Sequence, residues 1–397
     1  MKSIDQALLA GKKVLVRVDY NVPQNEQLQV TSVTRIKRTA DTVNKITKDG
    51  GIAILMSHLG RPKGEVNDTF SLKHIISAVC ETLGKPVTFL GDVLDAKVEE
   101  KINQLKPGDV ALLENLRFHK EEEKGDFEFA KAIAKLGDLY VNDAFGTAHR
   151  EHASTATIAR LFPGKAYAGY LLYSEVKSLK KVLEEKKSPF TAIIGGAKVS
   201  TKINILKNLM EKVDNLIVGG GMSYTFAAAL GFSYGDSLFE EEMVPVAKEI
   251  IEQAKIKGIN LYLPIDRICG DKFAEDANVI VTEDPNVPDG WMGMDAGFKT
   301  RELFKKIILD SKTILWNGPV GVFEMDKFSG GTKAVAEAVA ESTKNGAYSL
   351  IGGGDSIAAL GKFGLSKEVS YISTGGGAML EYLEGIELPG IKALEEN

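Results

Sequence analysis

The sequence predicts an α/β protein built on two doubly wound parallel sheets. Three observations support this prediction. The chain has 397 residues, which is long for one hydrophobic core and favours about two domains. Short apolar runs alternate with stretches of helical periodicity along both halves of the chain. These runs end in polar residues or glycines, as expected where parallel strands lead into ligand-binding loops.

The composition is typical of a globular protein in a reducing compartment. Hydrophobic residues make up 44% of the chain and charged residues 26%, and the net charge of −5 argues against a general nucleic-acid binder. The two cysteines, Cys80 and Cys269, are far apart and lack metal-ligand spacing. We find no signal peptide and no apolar run approaching a membrane span. We therefore expect a cytoplasmic protein with no membrane or nucleic-acid partner.

The first half of the chain predicts a parallel sheet covered on both faces. Its apolar runs are rich in valine, isoleucine and leucine and are nearly continuous, as in strands that are buried on both sides. Between them, apolar residues recur at helical spacing. Strands are predicted at 14–19, 52–58, 87–90, 110–115 and 139–143, and helices at 35–47, 71–84 and 126–136.

Polar and basic side chains follow the strands of this half. Ligands of open parallel sheets bind beyond the carboxyl ends of the strands, so we expect these side chains to converge. One arginine past one strand is usually a surface ion pair, but basic residues after four strands favour an anionic ligand. All five histidines and seven of the nine arginines lie before residue 161. The predicted rim contains Asp19, Asn21, His58, Arg61, Arg117 and Arg150.

A charged stretch separates the two halves. Residues 174–187 have helical character, with Ser174 as a predicted N-cap and Ser188-Pro189 as the predicted end. We therefore predict a first domain at 1–172, an interdomain helix at 173–188 and a second domain at 189–387.

The second half repeats the pattern, with glycines after its strands. Of the 40 glycines, 27 lie after residue 190, and clusters at 195–196, 219–221, 352–354 and 375–377 each follow an apolar run. One cluster would be compatible with close packing alone, but four predict a pocket lined by backbone. Strands are predicted at 191–194, 215–218, 260–263, 278–281, 313–316, 348–351 and 371–373.

Lys198 and Lys202 stand at a predicted strand-to-helix turn. Four residues apart, they would share one face of the first helical turns. Cations are unfavourable at a helix amino end, which carries partial positive charge, and a bound phosphate would reverse that penalty. The alternative is two solvated lysines on an amphipathic helix. This stretch by itself does not decide between them.

Common nucleotide motifs are missing. The chain has no P-loop pattern, and Tyr224, Ile357 and Leu380 replace the third glycine of a dinucleotide fingerprint. Asp355 follows a glycine run, where it could hold Mg²⁺ on bound phosphates or serve as an N-cap. Glu324 could accept ribose hydroxyls or be a surface carboxylate.

The division of residues suggests a phosphotransferase with one substrate on each domain. Phosphoryl transfer needs positioning and charge neutralisation, and a carboxylate acceptor needs no general base. A dehydrogenase is the first alternative, but the glycine fingerprint and the acidic residue about 20 positions after it are not found. A non-catalytic nucleotide-binding protein is the second, and it would be expected to lack Arg35 or Lys198, which are both present.

Eight motifs in order resemble the phosphoglycerate kinase family, from near residue 14 to the end of the chain. Any one would be weak, whereas eight in register are specific. Tyr20, where phenylalanine is usual, and Thr201, where aspartate is frequent, depart from the family pattern. The motifs are Arg17–Pro23, Ser57–Pro62, Glu114–Phe118, Asn142–Arg150, Gly195–Val199, Gly290–Asp295, Trp316–Glu324 and Gly352–Asp355.

The resemblance implies a bilobal, monomeric, cytoplasmic enzyme. Its two Rossmann-like domains would flank a cleft, joined by a hinge, and the tail at about 388–397 would return to the first domain. The implied reaction is reversible, Mg²⁺-dependent phosphoryl transfer from 1,3-bisphosphoglycerate to ADP, which gives 3-phosphoglycerate and ATP in glycolysis and gluconeogenesis.

The resemblance also implies residue roles. Asp19 and Asn21 would orient the glycerate, and Arg61, Arg117 and Arg150 would hold the 3-phosphate. The full implied phosphoglycerate site is Asp19, Asn21, Arg35, His58, Leu59, Gly60, Arg61, Arg117 and Arg150.

On the nucleotide side, Lys202 would bind phosphates, Glu324 the ribose, and Asp355 the metal. Arg35 and Lys198 would be catalytic, stabilising the phosphoryl group during transfer. The implied nucleotide site is Gly196, Lys198, Lys202, Gly293, Pro319, Glu324, Gly353, Gly354, Asp355 and Ser356.

Overall fold

The computed structural model describes residues 1–397, which form two compact units. The first comprises Met1–Val176 and Glu387–Asn397, and the second comprises Lys177–Ile386. The division falls inside a helix, so the predicted boundaries and the predicted hinge stay predictions. No helix has the length and apolar character needed to span a membrane.

The first unit is organised by a six-stranded parallel sheet, as predicted. The strand order is β3-β4-β2-β1-β5-β6. The chain therefore adds strands on one side of β1 first, beginning with β2, and then on its other side, beginning with β5. The reversal between β1 and β5 marks the point where a ligand is expected. The short strand β6 was not predicted, because Ala-Tyr-Ala carries little strand signal. The strands are β1 (Lys13–Arg17), β2 (Ile52–Met56), β3 (Val87–Gly91), β4 (Val110–Leu113), β5 (Leu139–Asn142) and β6 (Ala166–Ala168).

The second unit has nine strands in two sheets. The larger sheet is parallel, with the order β15-β14-β13-β7-β8-β9, and its reversal lies between β7 and β13. Trp316 on β13 is fully buried in the core beside it. The strands are β7 (Phe190–Ile194), β8 (Asn215–Val218), β9 (Asn260–Tyr262), β10 (Arg267–Gly270), β11 (Val279–Val281), β12 (Met292–Ala296), β13 (Thr313–Asn317), β14 (Tyr348–Gly352) and β15 (Tyr371–Ile372).

The smaller sheet corrects one sequence prediction. The predicted strand at 278–281 lies not in the parallel sheet but at the edge of an antiparallel one, in the order β11-β10-β12. Strands β10 and β12 were not predicted. Their sequences, Arg-Ile-Cys-Gly and Met-Gly-Met-Asp-Ala, combine charge, sulfur and glycine, so neither alternation nor a continuous apolar run is visible.

Fourteen helices cover the two large sheets. In the first unit α1 buries Ile36, Val43 and Ile46 and leaves its opposite face exposed. The last helix belongs to the first unit, where Gly390 N donates to Ala148 O at 2.8 Å. The helices are α1 (Thr34–Lys48), α2 (Ile76–Leu83), α3 (Lys97–Asn103), α4 (Lys120–Glu123), α5 (Phe127–Ala134), α6 (Tyr170–Leu183), α7 (Ile203–Leu209), α8 (Met222–Ala229), α9 (Val244–Ile256), α10 (Phe298–Asp310), α11 (Gly330–Lys344), α12 (Gly354–Lys362), α13 (Gly377–Leu383) and α14 (Pro389–Glu395).

Helix α6 begins at Tyr170, so the predicted N-cap at Ser174 is wrong. Its first amides are satisfied from distant parts of the chain. Tyr170 N donates to Thr42 Oγ1 at 2.9 Å, and the next two amides, at 171 and 172, donate to Asp143 Oδ1 at 2.9 and 3.2 Å. These bonds satisfy three of the four amides that a helix start leaves unpaired. A cap supplied from α1 and from the loop after β5 has no local sequence signal.

Replacing Asp143 by asparagine should change how stability depends on pH. Burial raises the pKa of Asp143 to about 7, although the amide hydrogen bonds from α6 oppose the shift. The folded state therefore keeps a proton that the unfolded chain, with a pKa of about 3.9, has already lost. This contribution to stability is full below about pH 4 and is lost as pH rises toward 7.

Asp143→Asn keeps the acceptor but cannot titrate. Urea unfolding between pH 4 and pH 7.5 should show the free energy of unfolding of the wild type falling relative to that of the variant as pH rises. A constant difference between the two proteins across this range would contradict the assignment.

Candidate active site

The loops after β1, β2 and β4 meet around Gly60. Asn21 Oδ1 accepts a hydrogen bond from Gly60 N at 2.9 Å, and Arg117 Nη1 donates to Gly60 O at 3.0 Å. Gly60 has φ +62°, and a Cβ there would overlap the ring of Phe70. Glycine is therefore required for the loop after β2 to connect its two neighbours. Three of the predicted substrate residues are brought together in this way.

Asp19 and Arg35 form an ion pair at the same edge of the sheet. Arg35 lies in the first turn of α1, and its side chain is 47% exposed, against 15% for Asp19. A Cβ on Gly146, in the loop after β5, would lie 3.1 Å from Asp19 Oδ2. The carboxylate therefore stands between the loops that follow β1 and β5. Because exposed ion pairs are weak, the Arg35 guanidinium is available to a stronger anion.

His58 is buried beside several arginines. The pKa of His58 is well below its ordinary value, first because of burial and then because of Arg17, Arg117 and Arg35. At neutral pH the positive charge of this region is therefore carried by guanidinium groups, which stay protonated.

A second histidine, His152, is held in the same surroundings and was not among the predicted site residues. Burial lowers the pKa of His152 to about 3, with further contributions from Arg117, Arg17 and Arg150. The pKa values of both buried histidines are thus lowered by Arg17 and Arg117 in addition to burial. The signal in the sequence was present, since His152 follows Arg150 by two residues.

The other predicted residues of this edge differ in exposure. Arg61 and Arg150 are exposed, as expected of side chains that meet a ligand. Leu59 is buried, and its carbonyl oxygen accepts from Asn115 Nδ2 at 2.7 Å. Asn115 Oδ1 in turn accepts from Arg117 N at 3.0 Å. Asn115 therefore supports the loop that carries Arg117, a role that sequence reasoning missed.

In the second unit, the turns after β7 and β13 touch through their backbones. Gly195 N donates to Asn317 O at 2.9 Å and Gly196 N donates to Pro319 O at 3.1 Å. A Cβ on Gly195 would overlap Pro319 O, and one on Gly318 would overlap the backbone of Gly195. These glycines are thus needed for packing of one turn on another. Of the glycine clusters predicted to line a pocket, Gly196, Gly220 and Gly221 line a cavity, whereas Gly195 serves this packing.

A cavity of about 310 Å³ lies beyond the carboxyl ends of β7 and β13. Its walls are mainly apolar side chains and glycine backbone, which suits a planar base. Two of the lining side chains are large, apolar and unusually exposed: Leu238 at 47% and Phe273 at 63%. Sequence reasoning missed both, because neither lies in a periodic segment. Five predicted nucleotide residues line the cavity: Gly196, Gly293, Pro319, Glu324 and Asp355.

Gly293 gives the cavity its shape. A Cβ on Gly293 would overlap the phenol ring of Tyr224, which forms part of the wall. Tyr224 is itself fixed by Arg267, whose guanidinium carbon lies 4.5 Å from the ring centre. Arg267 Nη1 also donates to Ser223 Oγ at 2.8 Å. The wall is therefore rigid, and little space is left for a larger residue at position 293.

The two lysines do not share a helical face, contrary to prediction. Helix α7 begins at Ile203, so Lys202 is its N-cap residue and Lys198 lies in the preceding turn. Lys198 is exposed. Lys202 is partly buried and donates to Asn317 Oδ1. Burial lowers the pKa of Lys202, and the nearby Asp355 carboxylate opposes that shift.

The turn that carries Lys198 is anchored by Glu240, which sequence reasoning also missed. Ser200 donates to the Glu240 carboxylate through its backbone N at 3.2 Å and through its hydroxyl. Thr201 Oγ1 donates to Lys198 O at 2.9 Å. A buried carboxylate thus holds the backbone of this turn, while the Lys198 side chain reaches solvent.

The four residues around the start of α12 that were predicted to bind the nucleotide differ in their surroundings. Gly353 has φ +90° and precedes the helix, and Gly354 is its first residue. Ser356 is fully buried, and its Oγ accepts from Gly318 N at 2.7 Å, so this side chain supports the turn after β13. Asp355 is exposed and lines the cavity. Of the two side chains in this stretch, those of Asp355 and Ser356, only the Asp355 carboxylate faces the cavity.

No group of three or more histidine, cysteine, aspartate or glutamate side chains could hold a metal ion. Mg²⁺ on nucleotide phosphates usually needs only one or two carboxylates, because phosphates and water complete its octahedron. A single carboxylate, Asp355, on the wall of a nucleotide-sized cavity fits this mode of binding.

Comparisons with known proteins agree with this geometry. A family model described as phosphoglycerate kinase matches residues 4–386. The chain is 50% identical to a phosphoglycerate kinase of Porphyromonas gingivalis, covering 99% of this chain and 100% of the relative. It is 49% identical to one from Chloroherpeton thalassium, covering 99% and 98%.

Solved structures are also similar. The structure of phosphoglycerate kinase from Coxiella burnetii aligns with a TM-score of 0.92 at 43% identity, covering 99% of this chain and 98% of that one. The enzyme from Pyrococcus horikoshii aligns with a TM-score of 0.83 at 31% identity, covering 100% and 99%.

Adding one methyl group at Gly293 should damage the cavity. In Gly293→Ala the new Cβ would overlap Tyr224, and forced overpacking typically costs about 1–3 kcal/mol. We expect a lower melting temperature and about tenfold weaker ADP binding by isothermal titration calorimetry, a tenfold change being about 1.4 kcal/mol.

Gly361→Ala is the matched control. Gly361 lies within α12 and an added Cβ meets nothing within 4 Å, so alanine should stabilise the helix by about 0.5–1 kcal/mol. Its ADP affinity should not change. Wild-type affinity and stability in Gly293→Ala would show that the ring of Tyr224 does not limit the site.

Proposed function

The chain belongs to the phosphoglycerate kinase family, and on that basis we propose which residues bind each substrate and which stabilise the transition state. Members of this family transfer a phosphoryl group reversibly between 1,3-bisphosphoglycerate and ADP. This glycolytic reaction forms 3-phosphoglycerate and ATP. One observation supports the division best: each large sheet has a distinct set of side chains at its reversal of strand order. The first set is rich in arginine, and the second encloses an apolar cavity with two carboxylates on its wall and Lys202 near one of them.

The first unit binds the phosphoglycerate. The exposed guanidiniums of Arg61 and Arg150, with Arg117, hold the 3-phosphate, which carries up to two negative charges. Asp19 accepts a hydrogen bond from the glycerate hydroxyl, and Asn21, whose side-chain amide can donate, orients the carboxylate end. Guanidinium groups suit this role because their charge does not depend on pH, whereas both buried histidines nearby are held neutral.

The second unit binds the nucleotide. The base lies in the apolar cavity against Gly293 and Pro319, and Glu324 accepts from the ribose hydroxyls. The phosphates extend toward the start of α12, where the amides of Gly353 and Gly354 add favourable backbone donors. Lys202 neutralises phosphate charge that stays on the nucleotide.

Asp355 would hold Mg²⁺, which would supply positive charge to the nucleotide phosphates when bound. The family resemblance further supports a monomer in the cytoplasm, with small-molecule substrates as its partners.

Transfer itself requires charge stabilisation and little else. The acceptor in the direction of ATP use is a carboxylate, which is ionised near neutral pH and needs no general base. Charge develops on the oxygens of the transferred phosphoryl group, and cations fixed beside it stabilise the transition state. Arg35 and Lys198 fill this role, since both are exposed cations at the edges of their respective sites.

Substitution of the two lysines should separate catalysis from binding. Lys198→Ala should lower kcat by roughly 100-fold or more with little change in the KM for ATP, because it acts on the transition state. Lys202→Ala should raise the KM for ATP about tenfold, because it acts on phosphates that remain bound. The assay is ATP-dependent phosphorylation of 3-phosphoglycerate, coupled to NADH oxidation.

Lys207→Ala provides the matched control. Lys207 lies on α7 and forms a surface ion pair with Glu249 at 3.2 Å, so its removal should leave both constants unchanged. Equal losses of kcat and ATP affinity in Lys198→Ala would show that Lys198 only binds. If the wild type bound nucleotide but did not turn over 3-phosphoglycerate, the proposed function itself would be wrong.

A further inference from the structure

We propose that Arg17 is a positioning residue that fixes His58 in its neutral Nε2–H tautomer, so that His58 meets the substrate as an uncharged hydrogen-bond donor. The tautomer of His58 follows from contacts within the protein, whereas its use on a phosphoglycerate rests on the proposed function.

Arg17 is placed to orient neighbours and does not reach a ligand. It is the last residue of β1, and it is fully buried. Its Nε donates to Ser154 Oγ at 2.8 Å, its Nη1 donates to Val18 O, and its Nη2 lies 3.2 Å from His58 Nδ1. All three of its nitrogens are therefore engaged inside the protein, unlike those of the exposed Arg61 and Arg150.

The contact with His58 determines where the imidazole proton lies. A guanidinium has five N–H donors and no acceptor, so it can approach a ring nitrogen at hydrogen-bond distance only if that nitrogen carries a lone pair. His58 Nδ1 is therefore unprotonated. A neutral ring with a bare Nδ1 has its proton on Nε2, so His58 offers one N–H donor away from Arg17.

The charges around His58 favour the same state. Burial is the largest cause that holds the pKa of His58 well below its ordinary value, and the charges of Arg17, Arg117 and Arg35 lower it further. Asp19 opposes this effect, because its Oδ1 lies 4.0 Å from Nδ1.

Asp19 is itself occupied. It is paired with Arg35, and its Oδ1 accepts from Asn21 N at 3.3 Å. Its carboxylate therefore does not compete effectively with Arg17 for the His58 ring.

Arg17 is itself held by a buried carboxylate. Glu122 is fully buried and accepts from Ser154 N at 3.0 Å and from Ser154 Oγ. Ser154 Oγ is also the acceptor for Arg17 Nε. A chain from Glu122 through Ser154 thus orients the guanidinium and offsets its charge. Rotation of the guanidinium toward a ligand would break its bond to Ser154 Oγ and remove the positive charge that faces Glu122.

The consequence for binding concerns pH. A permanently neutral His58 donates to a phosphate or carboxylate oxygen without first gaining a proton. His58 should therefore add no pH dependence of its own to 3-phosphoglycerate affinity near pH 6.5, where an ordinary histidine titrates, beyond the dependence set by the substrate phosphate, whose second pKa is about 6. Arg17 acts on the substrate only through His58.

The tautomer is tested directly by NMR on the whole, ligand-free protein. Long-range ¹H–¹⁵N correlation spectra of histidine-labelled protein distinguish the two neutral tautomers and the cation, and the loss of one ring pattern in His58→Gln assigns it among five histidines. We expect the Nε2–H pattern, unchanged from pH 5.5 to pH 8. An Nδ1–H pattern or a titrating ring in the wild type would overturn the proposal, whatever the variants do.

Arg17→Lys tests the positioning role. Lysine keeps the positive charge that faces Glu122, but one ammonium cannot reach Ser154, Val18 and His58 together. We expect His58 to show mixed tautomers and to titrate. The KM for 3-phosphoglycerate should rise about tenfold and gain a pH dependence near 6.5 beyond that of the wild type, with the KM for ATP unchanged.

Two further outcomes decide between explanations. A general loss of kcat, stability and both affinities, with no new pH dependence, would show that Arg17 is merely structural. His58→Gln should retain more 3-phosphoglycerate affinity than His58→Ala, since glutamine keeps a neutral donor; equal losses would contradict the donor role. A wild type that shows the Nε2–H pattern but no turnover would overturn the proposed function and leave the tautomer intact.

Discussion

The reversal of strand order in each parallel sheet is the constraint on which the rest of this molecule depends. Only there do loops from distant parts of the chain leave neighbouring strands in opposite directions and open a space between them. In the first unit this brings Asp19 to the loop after β5 that contains Gly146. In the second it sets the turns after β7 and β13 against each other so closely that Gly195 and Gly318 admit no side chain.

That constraint explains how ordinary side chains come to perform phosphoryl transfer. The chemistry needs fixed charge and exclusion of water more than acid–base groups. The first unit provides charge in a form that pH does not remove, because guanidiniums surround histidines that are held neutral. The second unit provides a cavity in which two carboxylates, Glu324 and Asp355, lie among apolar side chains and glycine backbone.

Much of this could be predicted from the sequence, because the relevant signals are local. Near-continuous apolar runs identified both parallel sheets, and the residues after strand ends identified Asn21 and Arg117, which the structure brings together at Gly60. The features that were missed depend on tertiary contacts. The cap of α6 comes from Thr42 and Asp143, which lie at least 27 residues before the helix start in the sequence.

Other missed features have the same cause. Ser356 faces inward, where its Oγ accepts a hydrogen bond from Gly318 N. Glu240 anchors the turn that carries Lys198 because Ser200 donates to its carboxylate. The prediction that Lys198 and Lys202 share a helical face is wrong because α7 starts after Lys202. Phe273 is identified as a cavity residue only by its position in the structure, where it lines the cavity and is unusually exposed.

The central claim is that the two substrates bind on different units, and hydrogen–deuterium exchange with each ligand alone tests it most directly. With 3-phosphoglycerate alone, peptides that contain Gly60 and Arg117 should be protected. With ADP and Mg²⁺ alone, protection should appear in peptides containing Gly293 and Asp355. Protection of the second unit by 3-phosphoglycerate alone, with the loops of the first unit unchanged, would contradict the account.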